Sequence, residues 1–251
     1  MRRTFGGLLA VDVDHVEVQR NTITALIGPN GAGKTTLFNL LTGFDRPDSG
    51  SWSYDGTQLA GKPAYGIARA GMVRTFQLTK ALARLTVLDN MLLAAPSQRG
   101  EHLVSALARV WRTQERENTA KANDLLERYN LADKKHDYAG TLSGGQRKLL
   151  EMARALMVDP QLVMLDEPMA GVNPALVQSL LDHIRLLRDE GRTVVFVEHD
   201  MDVVMNISNW VICMAQGQII AEGPPETIVT NESVIDAYLG AHHGDRPEGA
   251  Q

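Results

Sequence analysis

The sequence predicts an α/β fold with a mostly parallel sheet, an antiparallel β portion and an inserted helical stretch. Three observations carry that prediction. Short, nearly all-apolar runs, Ile23-Thr24-Ala25-Leu26-Ile27, Leu162-Val163-Met164-Leu165 and Val194-Val195-Phe196-Val197, have the length and residue types of strands covered on both faces. Segments of helical period alternate with them, which is the pattern of strand–helix–strand units rather than of a sandwich or a bundle. Between Thr79 and Ala139 the strand pattern vanishes and only helical spacing remains.

The elements can be justified in chain order. The strand 23–27 stops at Gly28 and feeds a helical run, Thr36 to Leu41. Leu103 to Val110 and Thr119 to Tyr129 have helical spacing. A further helical run, Arg147 to Val158, places Leu149, Leu150, Met152, Ala153 and Leu156 on one side. From about Pro174 to Glu190 the punctuation itself marks a helix: Asn173 suits the N-cap, Pro174 the first helical position and Gly191 the position just past the end. Leu176, Val177, Leu180, Leu181, Ile184 and Leu187 recur along it at helical spacing. Trp210 to Met214 and Gln218 to Ile220 flank Gln216-Gly217 as a hairpin. The last stretch, Gly240 to Gln251, has no periodicity and is expected to fray. The chain as a whole, 1–251, reads as one domain with a core of about 1–77 and 159–239, a helical subdomain of about 78–158 and a flexible tail at 240–251.

Composition narrows the function classes. The 251 residues carry 25 Lys+Arg against 30 Asp+Glu, a net charge of −5, and no clustered basic stripe, which argues against a nucleic-acid binder. The single cysteine, Cys213, has no partner for an internal disulfide, and no metal-ligand spacing is present, so structural zinc is not expected. No apolar run approaches the ~18 residues of a membrane span, and Met1-Arg2-Arg3 leads into no signal-like apolar segment. A cytosolic or peripheral chain is expected.

The chemistry lies at the strand ends. Gly28-Pro29-Asn30-Gly31-Ala32-Gly33-Lys34-Thr35 fits G-x-x-x-x-G-K-[ST] at every fixed position and stands between a strand and a helix, as that phosphate-binding motif requires. The glycines let the backbone wrap phosphate oxygens, and the N-terminus of the following helix, at Thr36, aims unpaired N–H groups at them. Lys34 suits the β- and γ-phosphates and Thr35 suits Mg²⁺. A plain glycine turn would have no use for the Lys-Thr pair. Asp166-Glu167 ends another strand. Beside a phosphate loop, Asp166 suits the acid that organises Mg²⁺, and Glu167 suits the base that deprotonates attacking water. Leu142-Ser143-Gly144-Gly145-Gln146 opens a helix with a hydroxyl and two glycines, either an ordinary Ser N-cap or a second anion site.

That last pentapeptide is the defining motif of the ATP-binding-cassette (ABC) ATPases, and the chain resembles that family from about Phe5 to Leu239. The resemblance adds Gln77, in Arg74-Thr75-Phe76-Gln77, as the Q-loop residue that contacts Mg²⁺ and the attacking water. It adds His199 as the switch histidine at the γ-phosphate, and Phe5 as the aromatic that stacks on adenine. It also implies ATP and Mg²⁺ as cofactors. Because nucleotide in this family lies between the phosphate loop of one subunit and Ser143, Gly144, Gly145 and Gln146 of another, it implies a dimer with a second ABC ATPase subunit, identical or related. Asn173 stands where many members have Asp.

Within the family, Phe5 to Val11, Gly71 to Gln77, Ala170 to Pro174, Leu41 to Phe44 and Asp236 to Gly240 are most similar to the ATPase subunits of branched-chain (hydrophobic) amino-acid importers. The resemblance then implies two transmembrane permease subunits as partners, the helical subdomain including Thr86 to Asn90 meeting them, and an extracytoplasmic solute-binding protein acting indirectly. The place implied is the cytoplasmic face of the cell membrane. Another solute such as urea or short amides would fit the same sequence. A soluble ABC protein of translation or DNA repair fits less well, since those carry two cassettes, long coiled-coil inserts or zinc-binding cysteines.

Overall fold

The computed structural model describes residues 1–75, 83–96 and 111–243. The segment Leu103 to Val110 lies outside the described residues. The strands are β1 (Arg2–Phe5), β2 (Leu8–Asp12), β3 (Ile23–Ile27), β4 (Ser53–Tyr54), β5 (Thr57–Gln58), β6 (Met72–Arg74), β7 (Leu162–Asp166), β8 (Thr193–Val197), β9 (Trp210–Ala215) and β10 (Gln218–Gly223). The α-helices are α1 (Lys34–Leu41), α2 (Ala64–Arg69), α3 (Val87–Leu93), α4 (Trp111–Arg128), α5 (Gly144–Leu156), α6 (Pro174–Asp189), α7 (Met201–Ile207), α8 (Pro225–Ile228) and α9 (Glu232–His243).

The chain divides into two compact units. The first holds residues Met1–Val73, Gln161–Pro168 and those from Ile184 on; the second holds the described residues of Arg74–Pro160 and Met169–His183.

In the first unit the main sheet has six strands in the order β10-β9-β3-β8-β7-β6. Parallel pairing joins β3 to β8, β3 to β9 and β7 to β8, while β10 runs antiparallel to β9. Every residue of β3, β7 and β8 is buried, which is why these segments read as continuous apolar runs without alternation. Leu37, Phe38 and Leu40 of α1 join Leu26, Met164, Val195, Val197, Ile212 and Met214 in one core cluster. Two short antiparallel hairpins, β1–β2 and β4–β5, are the other paired strands among the described residues. The β9–β10 turn uses Gln216 and Gly217 at φ of 50° and 82°, the left-handed pair that a tight hairpin of this twist requires.

In the second unit Thr86 and Asp89 form a capping box that starts α3, and Ser143 and Gln146 form another that starts α5. Arg154 Nε donates to the Asn90 carbonyl at 3.2 Å, tying α5 to α3. Tyr129, fully buried, stacks on His183 with ring centroids 4.3 Å apart. Burial, with Arg128 nearby, pushes the His183 pKa down.

The strand and helix assignments from sequence match within a few residues except that the helix read over Thr119 to Tyr129 already begins at Trp111. Helix α6 starts after Asn173, whose Oδ1 accepts from the Ala175 N–H at 2.9 Å, and it stops where Gly191 takes φ of 83°. Two expectations need correction. Helix α1 begins at Lys34 rather than Thr36, because Gly33 in left-handed conformation already serves as its N-cap. Helix α9 continues to His243, so Gly240 to His243 are helical where fraying was expected; 244–251 lie outside the described residues.

Candidate functional site

The C-terminal ends of β3, β7 and β8 converge on one edge of the main sheet, the edge where open α/β sheets bind ligands. The phosphate-loop residues Gly28, Pro29, Asn30, Gly31, Ala32, Gly33, Lys34 and Thr35 link β3 to α1. Gly28, Gly31 and Gly33 adopt φ of 146°, 78° and 100°. A Cβ on Gly28 would lie 2.1 Å from the Met214 carbonyl oxygen, and one on Gly33 would lie 2.3 Å from that of Ala10. The loop is thus clamped between β9 and β2, and hydrogen bonds from the Gly217 N–H to the Ala32 carbonyl (3.0 Å) and from the Asp12 N–H to the Gly217 carbonyl (2.7 Å) fix it.

No side chain caps α1, so its first amides, from Lys34 through Thr36, are available to an anion. Lys34 Nζ bends back to donate to the carbonyls of Gly28 (2.6 Å) and Pro29 (2.9 Å). Burial lowers its pKa, with Glu167 and Cys213 acting in the opposite direction. Glycine cradle, uncapped helix and inward lysine together fit a phosphate chain.

Asp166 is 8 % exposed and ends β7, opposite Val197 of β8. The next residue, Glu167, has φ of 45°, rare for a residue with a side chain and characteristic of strained functional positions. Its N–H donates to the Val197 carbonyl at 3.1 Å, so β8 holds the turn that presents the carboxylate. His199 follows β8 with its side chain 69 % exposed, and its N–H donates to the buried Glu198 carboxylate at 3.2 Å. Asp200 then caps α7 through the amides of Asp202 and Val203.

Phe5 ends β1 at the exposed β1–β2 turn, and the Arg3 guanidinium lies over one face of its ring, 4.5 Å from the centroid. Arg3 is held in turn by Asp45 and Asp48 at 2.9 and 2.8 Å.

Ser143, Gly144, Gly145 and Gln146 belong to the second unit. The Ser143 N–H donates to Gln146 Oε1 at 2.9 Å and the Gln146 N–H to Ser143 Oγ at 3.3 Å. Both glycines are compelled by packing: a Cβ on Gly144 would meet the Gly171 carbonyl at 2.9 Å, and one on Gly145 would meet Leu176 Cδ1 at 2.5 Å. The loop Met169–Asn173 therefore seats directly on the start of α5. Gln77 lies outside the described residues.

The structure thus gathers Lys34 and Glu167 with Asp166 and His199 at neighbouring strand ends. Sequence reading missed what holds them there. Ala10, Met214 and Gly217 confine the phosphate loop, and the only sequence trace of that confinement is the Gln216-Gly217 turn. Arg3 behind Phe5 has no local pattern to mark it.

Comparison with known proteins agrees with this geometry. Residues 11–170 match the family described as ABC transporter, and residues 218–244 match the branched-chain amino acid ATP-binding cassette transporter family. A probable branched-chain amino acid transport ATP-binding protein LivG of Archaeoglobus fulgidus is 41 % identical over 98 % of this chain and 95 % of its own. The high-affinity branched-chain amino acid transport ATP-binding protein BraF of Pseudomonas aeruginosa is 43 % identical over 94 % of each. Among solved structures, a nucleotide-free ATP-binding cassette from an ABC transporter superimposes with a TM-score of 0.83 at 36 % identity, covering 94 % of this chain and 95 % of that one. The ADP conformation of MJ1267, an ATP-binding cassette of an ABC transporter, gives the same TM-score and identity over 95 % of this chain and 96 % of that one.

Proposed function

The chain belongs to the ABC transporter family, as one of its ATP-binding cassettes, and from that membership we propose that it is the ATP-hydrolysing subunit that powers import of branched-chain amino acids through separate membrane subunits. One observation carries the hydrolytic part: Lys34 on an uncapped helix start follows β3 and Glu167 in left-handed backbone follows β7, and both strands pair with β8 in the same parallel sheet.

Lys34 turns its ammonium from the Gly28 and Pro29 carbonyls to the β- and γ-phosphate oxygens, while the amides of Gly31 through Thr36 hold the remaining oxygens. Phe5 stacks its open ring face on adenine. The Thr35 hydroxyl and the Asp166 carboxylate would hold Mg²⁺, which takes few protein oxygens besides substrate phosphates and neutralises charge as the γ-phosphate departs. By the family resemblance, Gln77 would contact the same ion and the attacking water. Glu167 orients that water and accepts its proton. His199, exposed and swung out from β8, contacts the γ-phosphate.

Ser143 to Gln146 serve the nucleotide of a second subunit, identical or related. The Ser143 cap and the α5 N-terminus add a second set of anion-seeking groups on the far side of the phosphates. Loss of the γ-phosphate removes the charge both subunits hold, so hydrolysis reopens the pair. Two permease subunits and an extracytoplasmic solute-binding protein complete the transporter, and the chain works at the cytoplasmic face of the membrane. In keeping with that peripheral place, no described helix is long and apolar enough to cross a bilayer.

The test is to co-purify the chain with its permease subunits in vesicles and measure ATP hydrolysis with solute-loaded binding protein. Stimulation by leucine, isoleucine or valine supports the reading. Stimulation by urea or short amides alone would replace the solute and keep the ATPase.

A further inference from the structure

Phe5 carries the adenine in the scheme above, yet it ends a four-residue strand with 46 % of its surface exposed, where an aromatic side chain has little to hold it still. Fixing such a ring only when the base arrives would cost its side-chain entropy at that moment, so a contact that orders it beforehand raises affinity. A phenyl ring has two faces and a base needs one of them. Arg3, two residues earlier in β1, covers the other, with its guanidinium carbon 4.5 Å from the ring centroid.

A surface arginine can steady a ring only if it is steady itself, and Arg3 is held at three points. Its Nη1 donates to Asp48 Oδ1 at 2.8 Å, Nη2 pairs with Asp45 Oδ1 at 2.9 Å, and Nε donates to Asp45 Oδ2 at 3.1 Å. The two contacts to Asp45 make the parallel fork that a guanidinium offers a carboxylate and an ammonium does not. The hydrogen bond to Asp48 raises the Arg3 pKa and lowers that of Asp48, so both groups stay charged. Asp48 also fixes the strand: its Oδ2 accepts the Thr4 N–H at 2.7 Å, its own N–H donates to the Arg2 carbonyl at 2.8 Å, and the Arg2 N–H donates to the Ser49 carbonyl at 3.0 Å.

These anchors are tied to the phosphate loop from two directions. Asp45 and Asp48 follow α1, the eight-residue helix whose first turn begins at Lys34. On the other side Phe5 pairs with Leu8 of β2, and Ala10, two residues further on, puts its carbonyl where a Cβ on Gly33 would lie. We infer that Arg3 is a positioning residue for the base: clamped by Asp45 and Asp48, its guanidinium backs one face of Phe5 and thereby presents the other face to adenine already oriented. The inference rests on the reading of Phe5 as the adenine platform. It gives the loop after α1 a share in nucleotide affinity, exerted through Arg3 and the ring.

The test uses titration calorimetry on the full chain with two ligands, MgATP and magnesium triphosphate, the inorganic chain that has no base. Arg3→Met keeps most of the stem and removes the guanidinium. Its affinity for MgATP falls by roughly two- to tenfold, the range for ordering one side chain at a binding surface, while its affinity for triphosphate stays that of the parent and shows the loop to be folded. Phe5→Leu by itself lowers MgATP affinity by roughly five- to hundredfold, the span of one base–aromatic stack. Adding Arg3→Met to Phe5→Leu then brings no further loss, because no ring remains to be backed. Unchanged MgATP affinity in Arg3→Met overturns the inference. An equal fall for both ligands, or a further loss in the double variant, overturns it too, since either result makes Arg3 a tether of β1 acting on the phosphate loop and not a support for the ring. A Phe5→Leu variant that binds MgATP like the parent is the separate failure: it shows the adenine platform to be misplaced and removes the premise.

Discussion

Replacing Gly33 by alanine tests how tightly the phosphate loop is confined, and Gly31→Ala supplies the matched control. Both glycines have left-handed backbone, at φ of 100° and 78°, so each substitution carries a conformational penalty of about 1–2 kcal/mol. They differ in their surroundings. A Cβ on Gly31 meets nothing within 4 Å, whereas one on Gly33 falls 2.3 Å from the Ala10 carbonyl oxygen. Reaching ordinary contact at 3.4 Å requires loop and strand to part by 3.4 − 2.3 = 1.1 Å. A shift of that size breaks the Gly217-to-Ala32 and Asp12-to-Gly217 hydrogen bonds, each worth about 0.5–1.5 kcal/mol net. Gly33→Ala should then cost about 2–5 kcal/mol and Gly31→Ala about 1–2. For a chain of this length each kcal/mol moves the melting temperature by roughly 2–4 °C. Differential scanning calorimetry of the nucleotide-free proteins reads the gap directly. Equal melting temperatures for the two variants would show that β2 does not confine the loop, and the clamp described above would be refuted.

Other consequences are open to simpler assays. Glu167→Gln keeps the side chain's shape and removes the base, so ATP should still bind while turnover falls by about 10²–10⁴-fold and an ATP-bound dimer accumulates in gel filtration; near-normal hydrolysis would falsify the role of this carboxylate. Ser143→Arg places bulk and charge at the start of α5, so nucleotide affinity of the isolated subunit should hardly change while ATP-driven dimerisation disappears. Dimers forming normally with that variant would sink the two-subunit arrangement. Cys213 is fully buried and its pKa is pushed up from 9.0 to about 11, so the folded state disfavours the thiolate. Stability from this group is whole below pH 9 and is lost as pH rises from about 9 to 11, by up to about 3 kcal/mol. Cys213→Ala should flatten that alkaline decline in urea melts, and an unchanged slope would remove Cys213 as its cause.

Much of this architecture was readable from the chain, and the reason differs by element. Strands β3, β7 and β8 announce themselves because burial on both faces leaves few polar positions to blur the run, Thr24, Asp166 and Thr193 being one in each. Helix α6 is bracketed by Asn173, Pro174 and Gly191, residues whose backbone preferences act locally. Strand β6 was not visible, because three residues are too few for any period and its place at the sheet edge is set by β7. The same split holds at the site. Gly28 to Thr35 and Asp166-Glu167 are contiguous and carry their own signature. The carbonyls of Ala10 and Met214, which dictate two of those glycines, come from strands distant in sequence, and a backbone oxygen leaves no mark on residue identity. Arg3 behind Phe5 is hidden for a related reason, since its anchors, Asp45 and Asp48, lie some forty residues away.

The left-handed backbone at Glu167 sets heat resistance against turnover. A glycine or asparagine there would relax the peptide, so selecting variants for survival at high temperature alone should drift toward an inert but sturdier protein at this one codon. Any effort to harden this cassette for use outside the cell would have to screen for hydrolysis at every round, because one such gain lies at the residue proposed to accept the proton of the attacking water.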